Sequence, residues 1–165
     1  MIEDLLDVTK INAGNIDLNI TIFDFSEALA QSIATVQQVS DKHTIIFNGD
    51  KNIMYSGDQF RLERVVINLL NNAIKYSPDA NQVIVKAAIN SQHVLVSVQD
   101  FGIGIEKENI DQLFSRFFRV SKTAMKFQGV GLGLYIAAEI IKKHNGTFTI
   151  ASEPGQGSTF CFQLP

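Results

Sequence analysis

Three asparagines and a lysine sit within one apolar-faced run of the chain, a placement with chemical meaning. In DQFRLERVVINLLNNAIKYS, Leu62, Val65, Val66, Leu69, Leu70 and Ala73 recur at helical spacing. At 100° per residue, Asn68, Asn72 and Lys75 fall within a stripe about 60° wide beside that apolar face. An asparagine in a helix interior costs roughly 0.5 kcal/mol relative to alanine. An amide oxygen, a second amide and an ammonium therefore converge on one point. The competing explanation is an ordinary solvated polar face.

Two glycine-punctuated runs follow. Asp100 opens DFGIGI directly after the apolar run VLVSVQ. A carboxylate at a strand end followed by Gly102 and Gly104 lets a flat ligand approach the backbone. Asp100 can accept from an exocyclic amine and would repel a carbonyl oxygen there, so it could tell adenine from guanine. GVGLGL, from Gly129 to Leu134, opens a helix. Backbone N–H groups at a helix start, cleared of side chains by Gly129, Gly131 and Gly133, form an anion cradle. Between the two runs, Gln112 to Ala138 contains no Asp or Glu but does contain Arg116, Arg119, Lys122 and Lys126. That local surplus suits a polyphosphate. Phe114, Phe117, Phe118 and Phe127 supply apolar anchors in the same stretch. Each feature alone also has a purely structural explanation.

The elements that must position these residues form an alternating pattern. Ile2, Leu5, Leu6 and Ile11 predict a helix ending near Gly14; Ile16, Leu18, Ile20 and Ile22 alternate as a half-buried strand. A helix from Phe25 to Val39, capped by Asp24 or Ser26, precedes short strands at His43–Asn48 and Ile53–Tyr55. The Asn-bearing helix runs from Asp58 to Tyr76 and stops at Ser77-Pro78-Asp79. Paired strands at Gln82–Asn90 and His93–Gln99, a short helix near Glu108–Phe114, a helix at Leu134–His144 and a hairpin of Thr147–Ser152 with Ser158–Leu164 complete the chain. The expected fold is an α/β (α+β) two-layer sandwich, with helices covering one face of a mixed, mostly antiparallel sheet. The chain has 165 residues and a net charge of −3, so a general nucleic-acid binder is not expected. The single cysteine, Cys161, excludes an internal disulfide and points to a reducing, cytoplasmic setting. It is expected to pack inside, and no apolar run reaches the ~18 residues of a membrane span.

In this order, the motifs resemble those of the catalytic, ATP-binding domain of sensor histidine kinases, within the GHKL ATPase superfamily. NLLNNAIKYS resembles the N box, DFGIGI the first glycine box, LFSRFFR the F box, GVGLGL the second glycine box and GQGSTF the final glycine-rich turn. The resemblance covers residues 15–165, with a Bergerat-type fold expected. IEDLLDVTKINAG, within residues 1–14, resembles the last turns of the second helix of the dimerisation and phosphoacceptor hairpin. The expected division is therefore a hairpin remnant at 1–14 and a catalytic domain at 15–165.

The resemblance implies roles for individual residues. Asn72 matches the asparagine whose oxygen binds Mg²⁺, Asn68 the second N-box asparagine near phosphates and metal, and Lys75 a phosphate contact. Tyr76 matches an aromatic position beside the nucleoside. Asp100 would pair with the adenine amine, with Gly102 and Gly104 admitting the ring. Arg119 matches the F-box arginine that reaches the γ-phosphate, Arg116 being the weaker candidate. Gly129, Gly131, Gly133 and Leu134 belong to the phosphate-holding box, under a lid of about residues 106–128. Hydrolytic relatives carry a glutamate at the position of Asn68, an amide that cannot take a proton at neutral pH; kinase rather than ATPase chemistry is expected.

None of His43, His93 or His144 is followed by the acidic residue and proline of an acceptor site. All three are expected to be structural or superficial, and Arg61 and Arg64 to be solvated. The implied partners are ATP with Mg²⁺, the histidine-bearing dimerisation domain and a downstream response regulator. No membrane insertion is implied, although a parent protein could be anchored. Two alternatives stay open: a nucleotide-binding regulatory module without kinase activity, and an anti-sigma-type protein serine kinase.

Overall fold

The computed structural model describes residues 2–14, 16–121 and 126–165. Its elements, in chain order, are α1 Ile2–Asn12, β1 Thr21–Asp24, α2 Phe25–Gln37, β2 Thr44–Gly49, β3 Met54–Gly57 and α3 Gln59–Lys75. There follow β4 Gln82–Ile89, β5 Val94–Asp100, α4 Lys107–Ile110, α5 Gly133–Lys143, β6 Thr147–Glu153 and β7 Gly157–Leu164.

Five strands form one sheet in the order β2-β4-β5-β7-β6. Only β2 and β4 run parallel, and β3 with α3 lies on the crossover between them. A parallel pair needs such a crossover, so the Asn-bearing helix is built into the sheet's connectivity. The other neighbours are antiparallel. The inner face of the sheet presents Val83, Val85, Val96, Val98, Phe160 and Phe162, all buried, to the helices. From α3, Leu62, Val65, Val66, Leu69, Leu70 and Ala73 are buried, the six residues that its periodicity selects. From α5 come Ile136, Ala137, Ile140 and Ile141. This is the expected two-layer sandwich.

α3 has well-defined ends. Asp58 caps it, accepting from Arg61 N at 3.1 Å and from Asn19 N at 2.9 Å; such a cap contributes about 1 kcal/mol. Asp58 N–H in turn donates to His144 Nε2 at 3.0 Å, while His144 Nδ1 lies 2.8 Å from the Ile140 carbonyl. That pair of bonds fixes the neutral Nδ1–H tautomer and ties the end of α5 to the start of α3. His43 donates from Nε2 to the Ser77 carbonyl at 2.8 Å, beyond the other end of α3. Both imidazoles are buried and structural, as expected.

Three expectations change. The strand expected over Ile16–Ile22 is β1, and it begins only at Thr21. β1 pairs with β3 alone, in a separate two-stranded sheet that turns Phe23 and Tyr55 inward. Inward parity is therefore odd, leaving Ile20 at 52% and Ile22 at 76% exposure. Cys161 alternates with the buried Phe160 and Phe162 and so lies on the opposite, half-exposed face. Arg61 and Arg64 are not solvated. Arg61 Nε lies 3.4 Å from Asp58 Oδ2, and Arg64 pairs with Asp4 and Asp7 of α1.

Candidate functional site

The C-terminal half of α3, the end of β5, the segment after it and the start of α5 surround a cleft of about 520 Å³. Asn72, Lys75, Tyr76, Asp100, Gly104 and Arg119 line it, together with Gly129, Gly131, Gly133 and Leu134. Asn68 and Gly102 are outside this lining and act from behind it. Arg116 is also outside, with its guanidinium over the Tyr135 ring at 5.1 Å. Lys122 lies outside the described residues.

Asp100, the last residue of β5, lines the cleft. It is only 4% exposed, and its Oδ1 accepts from Gly102 N at 2.9 Å and Ser158 N at 3.2 Å. Oδ2 is the oxygen left to receive a donor from the cleft. Burial pushes the carboxyl up to about 6, against the opposing pull of the two N–H groups. Ile103, Ile105, Leu132 and Phe160 provide apolar walls that sequence reasoning had not singled out. Ser158 was missed as well; its signal was the glycine-rich turn, which brings its N–H to Asp100.

The two glycines of the first box owe their identity to packing. A Cβ on Gly102 would lie 2.0 Å from the Tyr76 carbonyl oxygen, and Ile103 N donates to that same oxygen at 3.0 Å. Gly102 thus lets the segment close against the end of α3, where the sequence reading had it admitting a ring. Gly104 has φ +68, and a Cβ there would lie 2.0 Å from the Glu153 carbonyl oxygen.

The opposite wall is the second glycine box. α5 begins at Gly133 with no side-chain cap on its first N–H groups. Uncapped donors at a helix N-terminus carry partial positive charge and attract anions. Lys75 approaches this wall: a Cβ on Gly129 would come within 2.6 Å of its Nζ. Asn68 Nδ2 donates to the Gly133 carbonyl at 3.2 Å. Gly131, at φ +77, accepts from Phe117 N at 3.0 Å, joining the F box to the same loop. Phe117 itself has φ 58, a left-handed backbone that is rare for a bulky residue. Arg119 donates to the Phe127 carbonyl, and Phe127 packs edge-on to Tyr76 with ring centroids 5.0 Å apart.

The donor set fits a nucleoside triphosphate with a divalent cation. A buried acceptor, an ammonium, a guanidinium and a bare helix start line one cleft. Among the described residues no group of three His, Cys, Asp or Glu side chains is assembled for a metal. A cation here would take an amide oxygen from Asn72 and most of its shell from phosphate and water, as suits Mg²⁺.

The family model described as histidine kinase-, DNA gyrase B-, and HSP90-like ATPase matches residues 57–165. The chain belongs to this ATPase family. Among ATPase-family relatives, it is 31% identical to the sensor histidine kinase WalK of Bacillus subtilis (strain 168), matching with all of its own length and 28% of WalK. It is 34% identical to the hybrid signal transduction histidine kinase B of Dictyostelium discoideum, again with all of its length and 9% of that protein. The chain thus spans less than a third of the length of these curated relatives. Among solved structures, it superposes on the mycobacterial sensor histidine kinase MprB with a TM-score of 0.77 at 28% identity, covering 88% of this chain and 97% of that one. The nucleotide-free catalytic domain of histidine kinase ThkA gives 0.75 at 28% identity, covering 89% and 95%. Within the ATPase family, the chain is similar in sequence and fold to the catalytic domains of sensor histidine kinases. Among the described residues no helix is long and apolar enough to cross a membrane.

Proposed function

We propose that the cleft binds Mg²⁺-ATP and presents its γ-phosphoryl group to a histidine on a separate dimerisation domain. One observation carries this reading: the uncapped, glycine-built start of α5 lines the same cleft as Asn72, Lys75 and the buried Asp100 carboxylate. Asp100 Oδ2 would accept from the adenine amine, with Tyr76 beside the nucleoside. Lys75, Arg119 and the N–H groups of Gly131 and Gly133 would hold phosphate oxygens. Mg²⁺, when bound through Asn72, would neutralise phosphate charge.

In the transfer, an imidazole nitrogen of the acceptor forms the N–P bond as the bond to the bridging β,γ-oxygen breaks, and ADP leaves. The imidazole proton passes to solvent. Phosphoryl transfer depends mainly on positioning and charge neutralisation. The residues of this cleft can supply both without a base at Asn68. Residues 1–14 are assigned to the end of the acceptor hairpin and residues 15–165 to the catalytic domain. A response regulator would take the phosphoryl group onward.

The test mixes this chain with a separately made acceptor hairpin and radiolabelled ATP. Acid-labile phosphate on the hairpin is the expected result. Nucleotide binding without any label would instead support a regulatory module.

A further inference from the structure

Phe127 is a large apolar residue that is neither in the buried core nor packed against it. It is half-buried, stands between the exposed Lys126 and Gln128, and lies outside the cleft lining. Its ring meets the ring of Tyr76 edge-on, with centroids 5.0 Å apart. Its carbonyl oxygen accepts from Arg119. Both of those neighbours line the cleft. Phe127 thus touches two cleft residues from different parts of the chain while adding nothing to the lining itself.

The contacts run outward from a fixed point. Tyr76 ends α3 with its backbone bonded on both sides, its N–H to the Asn72 carbonyl and its carbonyl oxygen from Ile103 N, each at 3.0 Å. Phe127 and Arg119 belong instead to the connection between α4 and α5. Two approaches lay residues 126–129 along the end of α3. Phe127 packs on Tyr76, and Gly129 comes so near Lys75 that a Cβ there would lie 2.6 Å from Nζ. A lysine flanks each ring of the pair: Lys75 Nζ is 4.9 Å from the Tyr76 centroid, and Lys126 Nζ is 5.6 Å from that of Phe127. Cations over rings add attraction to the edge-on contact. The Phe127 carbonyl is therefore held relative to α3. A guanidinium is a planar, rigid fork, so one bond to that carbonyl sets the plane of the whole group.

We propose that Phe127 is a positioning residue: clamped on Tyr76, it fixes the carbonyl oxygen that orients Arg119 on the cleft, and so sets affinity for the terminal phosphate of the nucleotide. This rests on the assignment of the cleft to ATP and of Arg119 to a phosphate contact. An aromatic pair of this geometry corresponds to about fivefold in an equilibrium constant. A diphosphate lacks the group that Arg119 addresses and gains little from the orientation.

Calorimetry on the full chain compares a non-hydrolysable ATP analogue with ADP, each with Mg²⁺. Phe127→Ala is expected to weaken the analogue about fivefold and ADP by less than about twofold. Phe127→Tyr keeps the ring and should stay within about twofold of the parent for both nucleotides. Arg119→Ala should weaken the analogue, and adding Phe127→Ala to it should cause no further loss, because the ring acts through the guanidinium. An equal loss for both nucleotides, an additive loss in the double variant, or full analogue affinity in Phe127→Ala overturns the positioning role. If the parent chain binds neither nucleotide, or Arg119→Ala binds the analogue as tightly as the parent, the assignment beneath the proposal fails and the proposal falls with it.

Discussion

The side chain of Asn68 and the backbone of Gly133 are joined by a 3.2 Å hydrogen bond, Nδ2 donating to the carbonyl oxygen. This bond ties the middle of α3 to the first residue of α5, behind the cleft lining. Asn68 therefore acts as a latch between the two walls of the site rather than as one of the groups lining it.

Reversing the polarity of that latch tests it. Asn68→Asp sets a carboxylate against a carbonyl oxygen, at a cost of roughly 1–3 kcal/mol. Calorimetry with an ATP analogue should show affinity about tenfold weaker, with Asn68→Ala losing less. Binding by Asn68→Asp as tight as the parent's would refute the latch.

Asp100 ties nucleotide affinity to pH. Its carboxyl is raised from 3.8 to about 6, chiefly by burial. The ionised form is the better acceptor for an amine, so affinity should fall as pH drops through about 6. Asp100→Asn should show no such step and should bind about 10- to 100-fold more weakly, the loss of a charge-assisted bond of roughly 1.5–3 kcal/mol.

The same shift works the other way on stability. Because the folded state holds this proton more tightly, the stabilising contribution is complete below pH 3.8 and is lost as pH rises through about 6. At pH 8 the buried charge opposes folding by about 3 kcal/mol. Asp100→Asn should therefore melt higher than the parent at pH 8 while binding nucleotide less well. Thermal denaturation without nucleotide checks the first half; a lower melting temperature would contradict it.

The glycines should separate by what surrounds them. Gly102→Ala drives a Cβ to 2.0 Å from the Tyr76 carbonyl oxygen, a backbone atom at the end of α3. A loss of about 1–3 kcal/mol or more is expected in denaturant titration. Gly155→Ala, at φ +78 with nothing within 4 Å, pays only the left-handed backbone penalty of about 1–2 kcal/mol. Gly102→Ala should also weaken nucleotide binding, because it moves the segment that carries Asp100; Gly155→Ala should not.

Metal dependence should reside in Asn72, which lines the cleft from α3. In the parent chain, chelating divalent ions should weaken the ATP analogue about tenfold or more. In Asn72→Ala, affinity should be low with or without Mg²⁺. An unchanged response to the metal would remove Asn72 from its coordination.

The sequence was most informative where periodicity and chemistry coincided. In α3 the apolar set reads out the buried face residue by residue, and the Asn/Lys stripe beside it does flank a cleft. It was least informative where a residue answers to a distant partner. The alternation at Ile16–Ile22 is compatible with either parity until β3 is known to be the strand that β1 pairs with. Arg64 looks like any surface arginine of an amphipathic helix, since Asp4 and Asp7 are 60 and 57 positions away in the chain. Gly102 was recognisable as necessary, but the atom that forbids a side chain there, the Tyr76 carbonyl oxygen, belongs to another element.

The segment between β5 and α5 is anchored at both ends. Ile103 N holds one to Tyr76 at the end of α3, and Asn68 holds the other through Gly133. Closing a flexible loop of doubled length between anchored ends costs only about 0.6 kcal/mol more. Length changes that spare the cleft-lining residues of that segment, among them Ile105, Arg119, Gly129, Gly131 and Leu132, therefore cost the scaffold little, and the walls built from those residues keep their geometry.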